Sequence, residues 1–436
     1  MQTFVIMCIL WIGIALVGGL LLTKLMEKIH FPNVTGFLIA GILIGPWVLG
    51  LFDQNGFTKV VNEFNWISEI ALGFIAFTIG SSFNKDSLKK VGKRATIISV
   101  FEALGGAIFV LLGLFITYFC GMKNLGLTIP MILTLGSIAC ATAPAATLLV
   151  IRQYRAKGPV TETLIPVVAF DDAVALIAFS VLFSIAMVIQ SGEQFNVINA
   201  IVIPVLEILL SIVFGTILGF ITSFATKWFK SKHNRLICVI AAVILSVGFS
   251  QIDTATVFHW DFSFQFSSLL VCMMVGAIYY NFAEGTEKTD KYLNKFTAPI
   301  FMLFLIISGA KLNFGVFGGE KAALVISIAV IYIITRVIGK WVGSATSSKA
   351  THCEISVQKY LGFTLIPQAG VALGLANKTQ TYMKLAGFEE VGVIIYTCII
   401  LSTIIYEFTG PLITKWALVK AGEINPNPIP PTNTNI

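Results

Sequence analysis

Apolar runs of 18 or more residues follow one another along nearly the whole chain, each long enough to cross about 30 Å of hydrocarbon as a helix. Composition agrees. Of 436 residues, 56% are hydrophobic and only 12% are charged, against about 25% charged in ordinary soluble domains. A soluble protein so poor in charge could not cover its own surface, so the chain reads as an all-α membrane protein. The formal charge of +7 calls for no nucleic acid, because positive cytoplasmic loops account for it. The seven cysteines (8, 120, 140, 238, 272, 353, 398) are scattered and form no CxxC, and read as small core residues. The first run has no basic leader segment, so it reads as a retained first helix.

The pattern predicts about 13 spans, at roughly 3–26, 33–52, 64–83, 94–120, 126–151, 162–190, 197–226, 235–252, 263–282, 296–314, 321–346, 355–377 and 390–417. Residues 1–422 then form one transmembrane domain, and the Pro/Asn-rich stretch 423–436 reads as a disordered cytoplasmic tail. No soluble domain is visible after it, so any regulatory module is expected as a separate subunit. The connections KDSLKKVGKR, RQYRAK and KWFKSKHNR are strongly basic and alternate with connections poor in Lys and Arg. Positive loops stay inside, which puts the N-terminus outside and the C-terminus in the cytoplasm of an inner (plasma) membrane. FIAFTIGSSFN (74–84) resembles FLIISGAKLNF (304–314), and FLIAGILIG (37–45) lies at a similar distance from LLVCMMVGAIYYN (269–281). These offsets fit a repeat of about 3–190 in about 235–417, with 197–226 as a linker helix. Seven spans separate the copies, so they insert with opposite topology, the architecture of many secondary transporters.

Ionisable groups within hydrocarbon are costly, by at least about 2.5–3.5 kcal/mol each, so each demands a reason. VVAFDDAVALIAF places Asp171 and Asp172 in the middle of the sixth span. Adjacent helical residues point about 100° apart, so one carboxylate can face a cavity and the other a neighbouring helix. A buried carboxylate beside another is neutralised by a proton or by a cation, and the two compete. In TLGSIACATAPAATLLV, Pro144 removes a backbone donor and is expected to free carbonyls near Cys140 and Ala141, with Thr142 and Thr147 adding hydroxyls. The matching interruption is GFTLIPQAGVALGLA, with Pro367, Gln368 and Gly370. Two interrupted helices in corresponding positions are the strongest sequence pointer to a transport site. Glu102 and Arg336 occupy corresponding spans, so an ion pair between them is expected, although either Arg336 or Lys340 can instead neutralise Asp171. Lys340 lies nearer the helix end and is expected to snorkel to the headgroups. Lys311, Glu407 and Glu207 are weaker candidates.

With these residues in view, the chain resembles the sodium/proton exchangers of the cation:proton antiporter superfamily, nearest its second, double-aspartate branch. The resemblance rests on Asp171–Asp172 after the broken ATAP helix, on ISGAKLNF, on R-x-x-G-K at 336–340 (read as R336…G339-K340), and on EFTGPLITKWALVKAGE (407–423). It implies the antiporter fold with crossed discontinuous helices, a homodimer, elevator-like alternating access, and exchange of Na⁺ (or Li⁺, or K⁺) for H⁺. By position, Asp172 is similar to the principal ion-binding carboxylate, Asp171 to its partner, Thr142 and Ala141 to the helix crossing, and Arg336, Lys340 and Glu102 to charge-pairing positions. Gln368 departs from the family pattern, since relatives commonly carry a basic residue there, and arginine stands at 336 where double-aspartate relatives carry a lysine partner. The only metal implied is the transported cation at Asp172 and Asp171; no cofactor and no enzymatic chemistry are expected. A channel-like cation efflux system and a sodium-coupled solute symporter are the competing classes, and no TVGYG-like filter supports the former.

Overall fold

The computed structural model describes residues 2–28, 33–46, 48, 61, 63–81, 83, 85–143, 147, 150–151, 154–191, 203–229, 231–252, 266–312 and 321–424. Pro144 and the segment 425–436 lie outside the described residues. The helices are α1 (Gln2–Lys28), α2 (Asn33–Ile44), α3 (Asn65–Ser81), α4 (Lys85–Phe119), α5 (Ile129–Ile138), α6 (Pro159–Ser191), α7 (Ile203–Trp228), α8 (Lys232–Ser250), α9 (Ser268–Phe282), α10 (Thr286–Ala310), α11 (Ala322–Ala350), α12 (Ile355–Thr364), α13 (Gly370–Leu385) and α14 (Glu389–Lys420). Eight of them contain stretches long and apolar enough to cross a membrane, and Thr35–Ile44, Ile129–Ile138 and Ser268–Phe282 are shorter apolar helices. Each of the thirteen expected spans carries helix, the twelfth as the separate pieces α12 and α13.

Local chemistry sets the ends. Thr128 caps α5 by accepting from the Met131 amide, with Pro130 in the first turn. Gly92 (φ 68°, ψ 163°) breaks α4 near its start, a conformation open to glycine. Glu423, expected at the head of a disordered tail, is instead buried. Its carboxylate accepts from the amides of Val160 (2.5 Å) and Thr161 (2.9 Å) and from the Thr161 hydroxyl (2.7 Å). It thus satisfies orphan donors at the α6 N-terminus, where negative charge is favoured.

Packing follows the repeat. Helix α2 lies on α10 and α3 lies on α9, the exchange of partners that a two-fold relation between copies requires. Both contacts are glycine-to-backbone. A Cβ on Gly41 would strike the Ile306 carbonyl and one on Gly309 the Leu38 carbonyl. In the corresponding contact of α3 with α9, Gly276 meets the Phe77 carbonyl and Gly80 the Met273 carbonyl. Small residues let helices approach closely in a membrane. A second bundle joins α4, α5 and α6 to α11, α12, α13 and α14. Its densest contact is α4 against α11, where Gly105 meets Gly339 and Gly343 meets the backbone of Phe101 and Glu102. The rising numbers on α11 run against falling numbers on α4, so the two helices are antiparallel.

Candidate ion-exchange site at the helix crossing

The second bundle is interrupted twice at one level. Helix α5 stops at Ile138 and the chain is non-helical through Ala143. Helix α12 stops at Thr364, and Leu365 to Ala369 are non-helical before α13 begins at Gly370. The two stretches cross: the Ala143 amide donates to the Pro367 carbonyl at 2.8 Å, and the Thr147 hydroxyl to the Thr364 carbonyl at 2.9 Å. Pro367 lies within the second non-helical stretch, and Gly370 opens α13.

Crossing two broken helices leaves their terminal carbonyls without helical partners, and each needs a donor. Arg336 supplies three: Nε to Ala139 O at 3.0 Å, Nη2 to Ala141 O at 2.6 Å and Nη1 to Ile366 O at 2.7 Å. Its guanidinium also lies 4.8 Å from the Tyr406 ring centroid. Gln368 Nε2 donates to Ile138 O at 2.9 Å, and the Tyr332 hydroxyl donates to Gln368 Oε1 at 3.1 Å. Cations also suit the negative end of the α5 dipole. The expected ion pair between Arg336 and Glu102 does not form; Arg336 staples the crossing instead. The carbonyl of Ala141, expected free for a cation, is held by Arg336.

Lys340 does not snorkel. It is 0% exposed, because the tight α4–α11 crossing seals it beneath Gly106, whose Cβ would meet the lysine stem. Its Nζ lies 2.7 Å from Cys140 O, 2.7 Å from Thr142 Oγ1, 3.0 Å from Glu102 Oε2 and 3.3 Å from Asp171 Oδ2. An ammonium carries three donors and faces four acceptors. The contact with Asp171 is the longest and is the one most easily given up. Of the sequence's alternatives for neutralising Asp171, the structure has Lys340.

Asp171 is 0% exposed and Asp172 8%, so Asp172 is the more open of the pair. Three carboxylate oxygens at the cluster, Glu102 Oε1, Asp171 Oδ1 and Asp172 Oδ1, have no protein partner. Hard oxygens of this kind suit a monovalent alkali cation or a proton. Among the described residues no group of three or more His, Cys, Asp or Glu is arranged to hold a resident metal; a transported cation is cargo. Glu407 is buried on α14 with neither carboxylate oxygen hydrogen-bonded, and Lys311 lies at the end of α10, bonded to Asn65 and Asn377. Neither joins the aspartates. Tyr332, Tyr406 and the carbonyls of Ala139 and Ile366 were beyond sequence reasoning, because only the fold brings them to the crossing.

Crossed broken helices around buried carboxylates, in a doubled and partner-swapped bundle, define an ion-coupled secondary transporter. Residues 12–416 match the family described as "Sodium/hydrogen exchanger, transmembrane", and the chain belongs to it. It is 25% identical over 381 residues to the probable Na⁺/H⁺ antiporter GerT of Bacillus cereus, covering 85% of this chain and 91% of that one. It is 23% identical over 418 residues to the Na⁺/H⁺ antiporter NhaS4 of Synechocystis sp., covering 93% and 94%. It is 20% identical over 419 residues to the K⁺/H⁺ antiporter subunit KhtU of Bacillus subtilis, covering 93% and 92%. The fold matches that of the sodium proton antiporter MjNhaP1 from Methanocaldococcus jannaschii with a TM-score of 0.71 at 18% identity, over 95% of this chain and 99% of that one.

Proposed function

We propose that this chain exchanges Na⁺ or Li⁺ for H⁺ across a plasma membrane, with Asp172 and Asp171 as the carboxylates for which cation and proton compete. One observation carries the reading. Three buried carboxylates (Glu102, Asp171, Asp172) lie around Lys340, and the buried Arg336 is held by the neighbouring carbonyls, so with all five groups ionised one negative charge is left over. An uncompensated charge is strongly disfavoured inside a protein, and one proton or one monovalent cation cancels it. Both are not needed at once, and that is the basis of antiport.

In this reading a cation arrives at Asp172, the more open carboxylate, and draws on Asp171 as Lys340 gives up its longest contact. Lys340 keeps Glu102, Thr142 and Cys140 O throughout. Protonation of the aspartates from the other side expels the cation. Thr142 holds the crossing in register, and Arg336 keeps the broken ends together while the charge changes. The family resemblance supports a homodimer with elevator-like movement of the second bundle, and the basic loops support an external N-terminus and a cytoplasmic C-terminus. K⁺/H⁺ exchange is the second reading, favoured by the KhtU likeness.

The test is reconstitution of the purified full chain in proteoliposomes carrying a preformed ΔpH. Addition of Na⁺, Li⁺ or K⁺ without any organic solute is expected to dissipate the gradient, the most effective ion defining the substrate. A gradient that stays intact with all three ions contradicts the assignment.

A further inference from the structure

Away from the aspartates, a second ammonium sits among hard oxygens on the boundary between the two bundles. Lys311, at the end of α10, donates to two side-chain amide oxygens, Asn65 Oδ1 at the start of α3 and Asn377 Oδ1 on α13, the latter at 2.5 Å. The two amides come from different bundles. Among the described residues the ion pairs are Lys321–Glu390, Lys340–Glu102, Lys340–Asp171 and Lys384–Glu389, so Lys311 is held by neutral oxygens. Asn377 is 1% exposed and its Nδ2 has no partner. Its amide is turned oxygen-first toward a positive charge while its own donors go unmet, which costs free energy in a buried group.

Asn65, Ser68, Glu69 and Leu72 fall at i, i+3, i+4 and i+7, on one face of α3. Ser68 is buried with its Oγ unbonded. Glu69 is half-buried, and its charge acts on the Lys311 ammonium through space. The adjacent Lys378 turns to a different partner, its Nζ lying 3.3 Å from Ser268 Oγ on α9. Amide, hydroxyl and carboxylate oxygens are the ligands that replace the water shell of a hard cation, and a lysine ammonium is a compact single positive charge. Lys311 stands where such a cation would. Asn377 lies two turns beyond Gly370, about 10 Å along α13 from the helix crossing. Between them Leu72 closes on Gly374, whose Cβ would meet Leu72 Cδ2 at 1.9 Å. By the proposed topology the start of α3 and the end of α10 face the external side.

We propose that Asn65, Asn377, Ser68 and Glu69 form an external station for the transported alkali cation, occupied in this conformation by the tethered ammonium of Lys311. An arriving Na⁺ or K⁺ takes the amide oxygens as Lys311 withdraws on its flexible stem. Because Asn65 and Asn377 belong to different bundles, the station exists only while the bundles hold this relation, and it disperses when they slide. Lys311 thereby keeps the external approach closed to cations until one competes it away.

The identity of the ion rests on the exchange reading above; binding is measured without transport, so the two fail separately. Full-length Asp172→Asn protein, with its main ion cluster disabled, is compared with the same chain carrying Lys311→Met, Lys311→Gln or Lys311→Arg. The measurement is equilibrium binding of ²²Na⁺ and of ⁸⁶Rb⁺ as the K⁺ tracer. A site that the lysine fills about nine-tenths of the time hides about tenfold of its affinity. Both neutral variants are therefore expected to bind cation about tenfold more tightly than Asp172→Asn alone, and Lys311→Arg to show no gain. Adding Asn65→Leu or Glu69→Gln to Lys311→Met should remove the gain. No gain in whichever neutral variant keeps the parent elution profile overturns the station. A gain that survives Asn65→Leu, or that Lys311→Arg shares, overturns it too. Tighter binding alongside proteoliposomes that exchange no cation is failure of the exchange reading alone.

Discussion

Replacing Asp172 by Asn removes one ionisable oxygen while keeping the shape and volume of the side chain. Exchange is expected to vanish in Asp172→Asn while detergent-purified protein keeps its elution profile and melting temperature within a few degrees; retained cation-driven proton movement would remove Asp172 from its role. Lys340 behaves differently, because it contacts two buried carboxylates at once. Removing one member of a buried ion pair costs about 3–5 kcal/mol by leaving its partner charged and unpaired. Lys340→Met is therefore expected to lower thermal stability sharply. Adding Glu102→Gln should recover part of the loss, so that the double variant melts above the sum of the single effects. Strict additivity would mean that Glu102 and Lys340 do not interact. Arg336 presents no carboxylate to rescue: Arg336→Ala leaves three buried carbonyls without donors, and Glu102→Gln is expected to give it no relief.

At the scale of elements, the chain is held by glycines that let backbones touch. An alanine at Gly41, Gly276, Gly80 or Gly309 drives a methyl group into a facing backbone carbonyl, and overpacking of that kind costs about 1–3 kcal/mol. The expected pattern is that Gly41→Ala and Gly276→Ala, equivalent in the repeat, lower the melting temperature by similar amounts; a neutral result at both would refute the close crossing. The Glu423 cap on α6 is a milder case: Glu423→Ala is expected to lose about 1 kcal/mol and to keep its exchange rate. Much of this was legible in the sequence. Apolar length gave the helices, Pro367 and Gly370 gave a broken one, and Asp171–Asp172 stood out because carboxylates are rare at membrane depth. What was not legible is lateral register. Arg336 and Lys340 share a face of α11, and nothing within that helix says which of them reaches Glu102. The signal that could have decided it is the pair of glycines at 339 and 343 opposite Gly105, a small-residue spacing that marks a close crossing. Read that way, Lys340 is enclosed rather than near the headgroups. Likewise Glu423 follows a helix and precedes a Pro/Asn-rich stretch, and only the return of the chain to the α6 N-terminus shows why it is buried.

Across the whole molecule, the bundle of α1–α3 and α8–α10 meets the bundle holding the crossing through sparser contacts, among them α13 on α3, α14 on α2 and α6 on α3. Lys311 spans that boundary, since its Nζ bonds Asn65 on α3 and Asn377 on α13, the latter at 2.5 Å. If the two bundles slide during exchange, that bridge must open in each cycle. Cysteines placed at 65 and 377 in a cysteine-depleted chain and joined by a short crosslinker are expected to stop exchange, with activity returning on cleavage; exchange that persists at full crosslinking would argue against relative motion there. The charge balance of the cluster underlies every one of these expectations, and proton release on cation binding reads it directly. Na⁺ or K⁺ added to the purified protein in weakly buffered detergent solution is expected to release protons from the wild type and none from Asp172→Asn. Equal release from both would contradict the competition between cation and proton at that carboxylate.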